Sequence, residues 1–202
     1  MNKLITAAFL ATAFATPALA EDGLYYGLGL GYSSMTSTID SDPLSSSFEG
    51  TVLGVTLGYR RDASSMFYAA EMDSDLGLSQ QFSFPPPDST CRNGSLGPTH
   101  CTHDITLRMR GVVGTQVGAY ELFGSLGAVL VKGTSAVEEI QVDDVINTGY
   151  TVGLGVQRPL GSGTGRLELI YDRADNDNGP KLGLSVYHPN YEAVTLKATF
   201  MF

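Results

Sequence analysis

Apolar residues alternate with small or polar residues at a period of two in eight segments of this chain. Each segment is close to the roughly 9 to 11 residues that a tilted β-strand needs to cross a bilayer. In the first segment Leu24, Leu28 and Leu30 fall on one face, whereas Gly27 and Gly29 fall on the other. The period is that of strands rather than helices, so the pattern predicts an all-β protein with eight strands.

The eight predicted apolar faces can be read directly from this alternation. The fifth segment, roughly Tyr120 to Lys132, is the least regular and its register is the hardest to assign. Strand by strand, the apolar faces are Leu24, Tyr26, Leu28, Leu30 and Tyr32; Leu53, Val55, Leu57 and Tyr59; Met66, Tyr68, Ala70 and Met72; Ile105, Leu107, Met109 and Val113; Leu122, Leu126, Ala128 and Leu130; Tyr150, Val152, Leu154 and Val156; Leu167, Leu169 and Tyr171; and Val194, Leu196, Ala198, Phe200 and Phe202.

The connections between these segments alternate between long and short. An antiparallel up-and-down barrel in an outer membrane has this order, with short turns in the periplasm and long loops outside the cell. An even strand number then places both termini in the periplasm. The short connections are Arg61 to Ser64, Thr115 to Ala119 and Pro159 to Gly165, and the long ones are Ser34 to Phe48, Leu76 to His103, Thr134 to Asn147 and Ala174 to Asn190.

The faces opposite the apolar residues carry charges and many of the 24 glycines of the chain. A soluble barrel shows its polar face to water, where strand glycines weaken the sheet for no gain, whereas a membrane barrel encloses that face in a narrow lumen. Glycine there makes room for large neighbours, and enclosed charges must pair. We therefore expect a salt-bridge network that plugs an eight-stranded transmembrane β-barrel, formed by Glu71, Asp73, Arg108, Arg110, Glu121, Arg166, Glu168, Asp172 and Lys197.

The first 20 residues combine a basic start at Lys3, an apolar run and the sequence Ala18-Leu19-Ala20. This pattern is that of a secretory signal peptide with cleavage before Glu21, so residues 21–202 are expected to form a single barrel domain. Loss of Lys3 takes the formal net charge from -9 to -10. Such an acidic balance argues against nucleic acid as a partner.

The two cysteines, Cys91 and Cys101, lie in the longest predicted loop. Exported proteins with an even cysteine count generally form disulfides, so a bond between these two residues is expected. The alternative is a zinc site that also uses His100 and His103, but the spacing matches no known zinc finger. The disulfide is the favoured interpretation, and no metal or cofactor is expected.

Taken together, these features resemble the family of small bacterial outer-membrane barrels that includes the transmembrane domain of outer membrane protein A, outer membrane protein X and the opacity proteins. The resemblance covers the mature chain and includes its end at Phe200-Met201-Phe202, although Lys197 stands where the family often has glycine. It implies that Phe200 and Phe202 form a signal for the barrel assembly machinery, and that the barrel contacts outer-membrane lipid and lipopolysaccharide, as a monomer. Members of the family serve in envelope integrity, adhesion, resistance to host defence and, in a few cases, lipid chemistry.

Two further motifs have a chemical and a plain interpretation. Asp172, Asp175, Asp177 and Asn178 before Gly179 are similar to half of a calcium loop but lack the distal glutamate, and these residue types are also common in turns. Ser185, His188 and Glu192 could form a hydrolytic triad acting on lipid A, but no nucleophile elbow surrounds them. The plain loop is favoured in both cases.

The sequence therefore favours a non-enzymatic outer-membrane barrel that contributes to envelope structure and to surface interaction or adhesion through its loops. An acidic stretch in the third long loop (Glu138, Glu139, Asp143 and Asp144) alternates with apolar residues, which suggests a strand that continues beyond the membrane and could pair with a partner. The alternatives are a small-solute or ion channel, a lipid A-modifying hydrolase and a soluble periplasmic ligand-binding barrel.

Overall fold

The computed structural model describes residues 22–39, 42–78, 81–83, 99–137, 140–175 and 189–202. Within these ranges the chain forms nine β-strands. They are β1 (Gly23–Ile39), β2 (Asp42–Ala63), β3 (Met66–Leu78), β4 (Gln81–Ser83), β5 (Thr99–Val117), β6 (Tyr120–Val137), β7 (Ile140–Leu160), β8 (Gly163–Asp175) and β9 (Pro189–Met201). Eight of them form the barrel wall, and the three-residue β4 pairs only with the far end of β5.

All strand pairs are antiparallel and the sheet closes on itself. The neighbours run in the order β3-β2-β1-β9-β8-β7-β6-β5, and β3 pairs with β5 to complete the ring. The predicted all-β, eight-stranded up-and-down barrel is therefore confirmed. No helix in the described part of the chain has the length and hydropathy needed to cross a membrane.

The three short connections are tighter than the sequence indicated. Each consists of two residues, and the first of them has a positive φ: 58° at Ser64, 64° at Gly118 and 63° at Gly161. Two-residue hairpin turns require this backbone because it matches the right-handed twist of the flanking strands. These turns bring β2 to β3, β5 to β6 and β7 to β8 at one end of the barrel.

The apolar residues of the eight segments face outward. Leu154 is 68% exposed and Leu126, in the segment whose register was least certain, is 65% exposed, whereas the inward-facing Arg108 is 2% exposed. The assigned faces are thus correct in all eight strands, and the barrel has an apolar exterior with a charged interior. This arrangement is the reverse of a soluble barrel.

The strands extend further than the predicted loop boundaries. β1 reaches Ile39 and β2 begins at Asp42, so most of the segment predicted as the first long loop is paired sheet. The pairing of β6 with β7 likewise continues to Val137 and Ile140, in line with the strand-like alternation noted there. The loop boundaries were wrong because apolar alternation marks only the part of a strand whose outer face is apolar, while backbone pairing needs no such pattern.

Several predicted features fall outside the described residues. They are the signal peptide (residues 1–20), Cys91, Asp177, Asn178, Gly179, Ser185, His188 and the acidic pair Glu138 and Glu139. The backbones of His100 and Cys101 belong to β5, where they pair with Ser83 and Phe82. The disulfide between Cys91 and Cys101 stays a prediction.

Candidate functional site: the charged lumen

The upper layer of the lumen, towards the long connections, is organised around Arg108 on β5. One edge of its guanidinium binds Asp172 on β8, with Nη2 at 2.6 Å and Nε at 3.0 Å from the carboxylate oxygens. Nη1 donates to Asp73 at 2.8 Å and to Asp75 at 2.5 Å, both on β3. A single buried guanidinium therefore bridges three carboxylates on opposite sides of the barrel.

Lys197 on β9 completes this layer. Its ammonium nitrogen lies 2.7 and 2.5 Å from the two oxygens of Asp73 and 3.0 Å from Asp75. The hydroxyl of Thr56 also donates to Asp73, at 2.7 Å. The layer therefore holds three carboxylates and two cations, all of them at most 4% exposed at the side chain.

The middle layer is centred on Arg110. Its two terminal nitrogens bind the two oxygens of Glu168 at 2.8 and 2.9 Å, a bidentate pair that joins β5 to β8. Its Nε donates to Glu71 on β3 at 3.0 Å, and Arg166 on β8 donates to the other oxygen of Glu71 at 2.6 Å. Ser125 donates to Glu168 at 3.0 Å, so this layer joins four strands.

The lower layer, nearer the short turns, is partly open to solvent. Arg60 on β2 forms a bidentate pair with Glu121 on β6, at 2.9 and 2.6 Å, and also binds Asp62 at 2.9 Å. Gln157 donates to Glu121 at 2.7 Å and accepts from Arg166 at 2.9 Å, which connects this layer to the middle one. Arg110 also lies 4.0 Å from Asp73 of the upper layer, so ion pairs and hydrogen bonds connect all three layers along the barrel axis.

An apolar cluster lies in the wall beside the lower layer. Phe67, Val112 and Phe123 pack together on the inner face, and none is more than 4% exposed. The guanidinium carbon of Arg60 lies 4.0 Å from the ring centre of Phe67, and that of Arg166 lies 4.6 Å from that of Phe123. Such cation–π contacts are stronger where the cation is desolvated, and the side chains of the two arginines are at most 10% exposed.

All nine residues of the predicted network lie on the inner face and take part in these contacts. Further members of the network were not predicted. They are the charged residues Asp75, Arg60 and Asp62 and the hydrogen-bonding residues Tyr25, Thr56, Ser125 and Gln157. Asp75 was missed because β3 was ended too early, although it continues the alternation of Glu71 and Asp73. Tyr25, whose hydroxyl donates to Glu71, precedes the first inward glycine.

Two buried polar side chains lie outside this network. The amide of Asn147 and the hydroxyl of Thr151, both on β7 and facing inward, have no hydrogen-bond partner within the described ranges. Each is at most 1% exposed. Leaving a buried polar group unpaired costs about 1–3 kcal/mol, so the two positions are candidates for stabilising substitutions.

The lumen geometry bears on two of the chemical interpretations. The carboxylate of Asp172 is bound to Arg108 inside the barrel and is therefore not available to a calcium loop. Glu192 is exposed on the outside of the barrel, 3.3 Å from Arg173, whereas the other two residues of the predicted triad lie outside the described residues.

Aromatic side chains lie on the outer surface near both ends of the apolar belt. Tyr59, Tyr68 and Tyr120 lie near the short turns, and Tyr32 and Tyr150 lie towards the long connections. Each is 45–53% exposed. Two such rings are typical of a barrel that crosses a membrane, because aromatic side chains favour the lipid–water interface.

The last residue of the chain is held against the first strand. The backbone of Phe202 exchanges hydrogen bonds of 2.8 and 3.1 Å with that of Tyr26, and the two rings stack with centroids 5.4 Å apart. Phe200 packs edge-on against Phe202 at 4.9 Å. The C-terminal aromatic residues thus lie on the outer surface beside the strand pair that joins the two ends of the chain.

No protein-family model and no curated protein matches this chain. Solved structures do. The attachment invasion locus protein Ail of Yersinia pestis, in complex with the heparin analogue sucrose octasulfate, has a TM-score of 0.51 and 13% identity over 89% of this chain and 99% of its own. Neisserial surface protein A has a TM-score of 0.56 and 10% identity over 89% of this chain and 96% of its own. At these identities the likeness is one of fold.

Proposed function

We propose that this chain, whose fold is that of the small outer-membrane β-barrels, is an integral outer-membrane protein without enzymatic activity that contributes to envelope structure and presents its long loops for surface interaction or adhesion. The observation that carries the proposal is the inverted distribution of side chains. Large apolar groups cover the outside of the closed sheet, and the charged residues of the lumen network are enclosed within it.

Burial energetics support a lipid environment. An outer surface covered by side chains such as Leu154 and Leu126 would cost a water-soluble protein roughly 25 cal/mol for every Å² of apolar area left in water. A contiguous apolar belt of this size on a soluble monomer is also a strong aggregation hazard. A bilayer removes both problems, because hydrocarbon solvates the belt and each of the eight described wall strands is paired on both sides.

The connections support the orientation that we propose. Three turns of two residues lie at one end, together with the start of β1 and the end of β9, whereas the other end carries the long connections from β3 to β5 and from β8 to β9 and the extended β1–β2 and β6–β7 hairpins. In barrels of this type short turns face the periplasm, so we assign the long loops to the cell exterior. The long loops then lie at the cell surface, and loops are the usual place for binding contacts.

The arrangement of the lumen supports a plugged barrel rather than a channel. Eight strands enclose a space that side chains alone can fill. Here Arg108, Arg110 and Arg166 cross it at successive levels, each bound to carboxylates on an opposite strand. An ion crossing this interior would have to displace buried pairs whose removal costs several kcal/mol.

The proposed partners are the lipids around the belt, including lipopolysaccharide at the outer leaflet, and the barrel assembly machinery, which would recognise Phe200 and Phe202. Ail was solved in complex with a sulfated heparin analogue, which is an anionic ligand. The same ligand class is disfavoured for this chain, because its third long loop carries Glu138, Glu139, Asp143 and Asp144. A neutral or cationic surface partner fits the loops better.

The proposal is tested by fractionation and conductance. The mature chain is expected to pellet with outer membranes, to need detergent for extraction and to migrate faster in gels when unheated. In planar bilayers the folded protein should give no stable conductance steps. Protease added to intact cells should cut within residues 84–98 but not at the short turns. Extraction without detergent would refute the membrane assignment, reproducible conductance would refute the plug, and cleavage at the short turns alone would reverse the orientation.

A further inference from the structure

The β1–β9 pair is the seam where the two ends of the chain meet, and closing it completes the barrel. Its register runs from Gly27 opposite Met201 to Ile39 opposite Pro189. Opposite the C-terminal half of β9, the inner face of β1 carries glycine at positions 27, 29 and 31 and offers no side chain. The inner face of the seam is therefore a shallow shelf of backbone.

The side chain of Lys197 lies along this shelf. A Cβ atom built on Gly29 would lie 3.3 Å from Cδ of Lys197, and one built on Gly54, the β2 residue paired with Gly29, would lie 3.1 Å from both Cδ and Nζ. The lysine stem thus runs inward from β9, over β1 and then over β2. Side chains at positions 29 and 54 would obstruct this path.

The ammonium ends at two carboxylates of the next strand, β3. Nζ lies 2.5 Å from Asp73 and 3.0 Å from Asp75, and the lysine side chain is 1% exposed. One side chain of the last strand is therefore fastened to the third strand across the first two. A second polar side-chain contact across the seam is a neutral hydrogen bond of 2.9 Å between Thr195 and Ser33.

The ion pairs of the lumen arginines do not connect β9 to another strand. Arg108 and Arg110 join β5 to β3 and β8, and Arg166 joins β8 to β3. Among the described residues, Lys197 is the single charged group on the inner face of β9. The last strand can therefore separate from β1 while all of the arginine pairs stay intact, provided that the lysine pairs break.

We propose that Lys197 is a latch for the closing seam: it holds β9 against β1 from inside by an ion pair with Asp73 and Asp75, and Gly29 and Gly54 form the groove through which it reaches them. The latch controls local opening of the seam, whereas the arginine pairs control unfolding of the whole barrel. Loss of the lysine therefore has a local signature that loss of another lumen cation lacks.

The test is hydrogen–deuterium exchange of the mature chain folded in detergent micelles, comparing residues 193–201 at the seam with residues 105–113 in the opposite wall. In Lys197→Met the amides of the seam should exchange about a hundredfold faster, because one partner of a buried ion pair is gone. Exchange in the opposite wall should rise by less than about threefold. The matched control is Arg60→Met, which also removes a lumen cation but whose ion pairs, to Asp62 and Glu121, do not involve β1 or β9. It should leave the seam protected.

A second comparison separates the latch from simple charge balance. The double variant Lys197→Met/Asp75→Asn returns the upper layer to its native net charge without restoring the ion pair between β9 and β3. The seam should still exchange within about threefold of the single variant. Native protection in the double variant, an unchanged seam in Lys197→Met, or an equally exposed seam in Arg60→Met would each overturn the proposal.

A milder variant covers the case in which Lys197→Met does not fold. Gly54→Ala puts a methyl group 3.1 Å from the lysine Nζ and 2.7 Å from an Asp75 oxygen, which forces the ammonium and the carboxylate apart. Seam exchange should rise about tenfold, while Gly111→Ala, whose methyl meets only a backbone oxygen at 3.9 Å, should leave it unchanged. An unchanged seam in Gly54→Ala contradicts the latch.

Discussion

Replacing Arg108 by methionine removes the guanidinium that holds the upper layer of the lumen together. The arginine makes five hydrogen bonds of 2.5–3.0 Å to three carboxylates and is 2% exposed. Asp73 and Asp75 keep Lys197, but the hydrogen bonds and ion pair found for Asp172 all come from Arg108. Leaving one buried charge without its partner costs about 3–5 kcal/mol, a large part of the roughly 5–15 kcal/mol that stabilises a typical domain.

The assay is unfolding of the mature protein by urea in phospholipid vesicles. The folded fraction is measured on gels, where unheated folded protein migrates faster than unfolded protein. Arg108→Met should lower the free energy of unfolding by about 3–5 kcal/mol. Arg108→Met/Asp172→Asn should restore about 2 kcal/mol of it, because the unpaired carboxylate is gone. Arg158→Met, at the exposed rim beside Tyr120, is the control and should change stability by less than about 0.5 kcal/mol. A loss below about 1 kcal/mol for Arg108→Met would mean that water hydrates the lumen charges, which would refute the plugged interior.

Three further predictions concern single positions. Thr151→Val removes a buried hydroxyl that has no partner among the described residues and should raise stability by about 1 kcal/mol in the same urea assay; a decrease would show that the hydroxyl is satisfied. Gly153→Ala places a methyl group against the Ser125 hydroxyl and 2.5 Å from a Glu168 oxygen and should cost about 1–3 kcal/mol, whereas Gly111→Ala should be neutral; equal effects would contradict the tight packing of the inner face. Cys91 and Cys101 should resist thiol labelling in the unfolded, unreduced protein and react after reduction, and labelling without reduction would exclude the disulfide.

The barrel could be predicted from sequence because one physical pattern defines both its faces. Leu28, Leu57 and Leu196 alternate with glycine or with polar residues, and a one-residue change of register would bring them into the lumen among the charges. The inward placement of Arg108 and Glu168 follows from the same alternation. The fold and most of the charged lumen were therefore accessible without a structure.

The pairing within the lumen was not accessible in the same way. Which carboxylate meets Lys197 depends on the stagger of the strands around the closed barrel, and alternation does not contain that quantity. Asp75 was not predicted because the apolar alternation of the outer face weakens at this point while the strand continues. The inner apolar cluster around Phe67 and Phe123 was also not expected, since these residues alternate with apolar outer positions and look like ordinary strand residues.

The central claim is that the face bearing Leu154 meets lipid hydrocarbon while the opposite face is enclosed. The chain contains no tryptophan, so a single introduced one is a clean probe. Leu154→Trp and Phe123→Trp, placed on the outer and inner face, are folded into vesicles of bromine-labelled phospholipid and their fluorescence is measured. The account predicts strong quenching of the indole at position 154 and little at position 123; an unquenched, red-shifted emission from position 154 would show that this face lies in water.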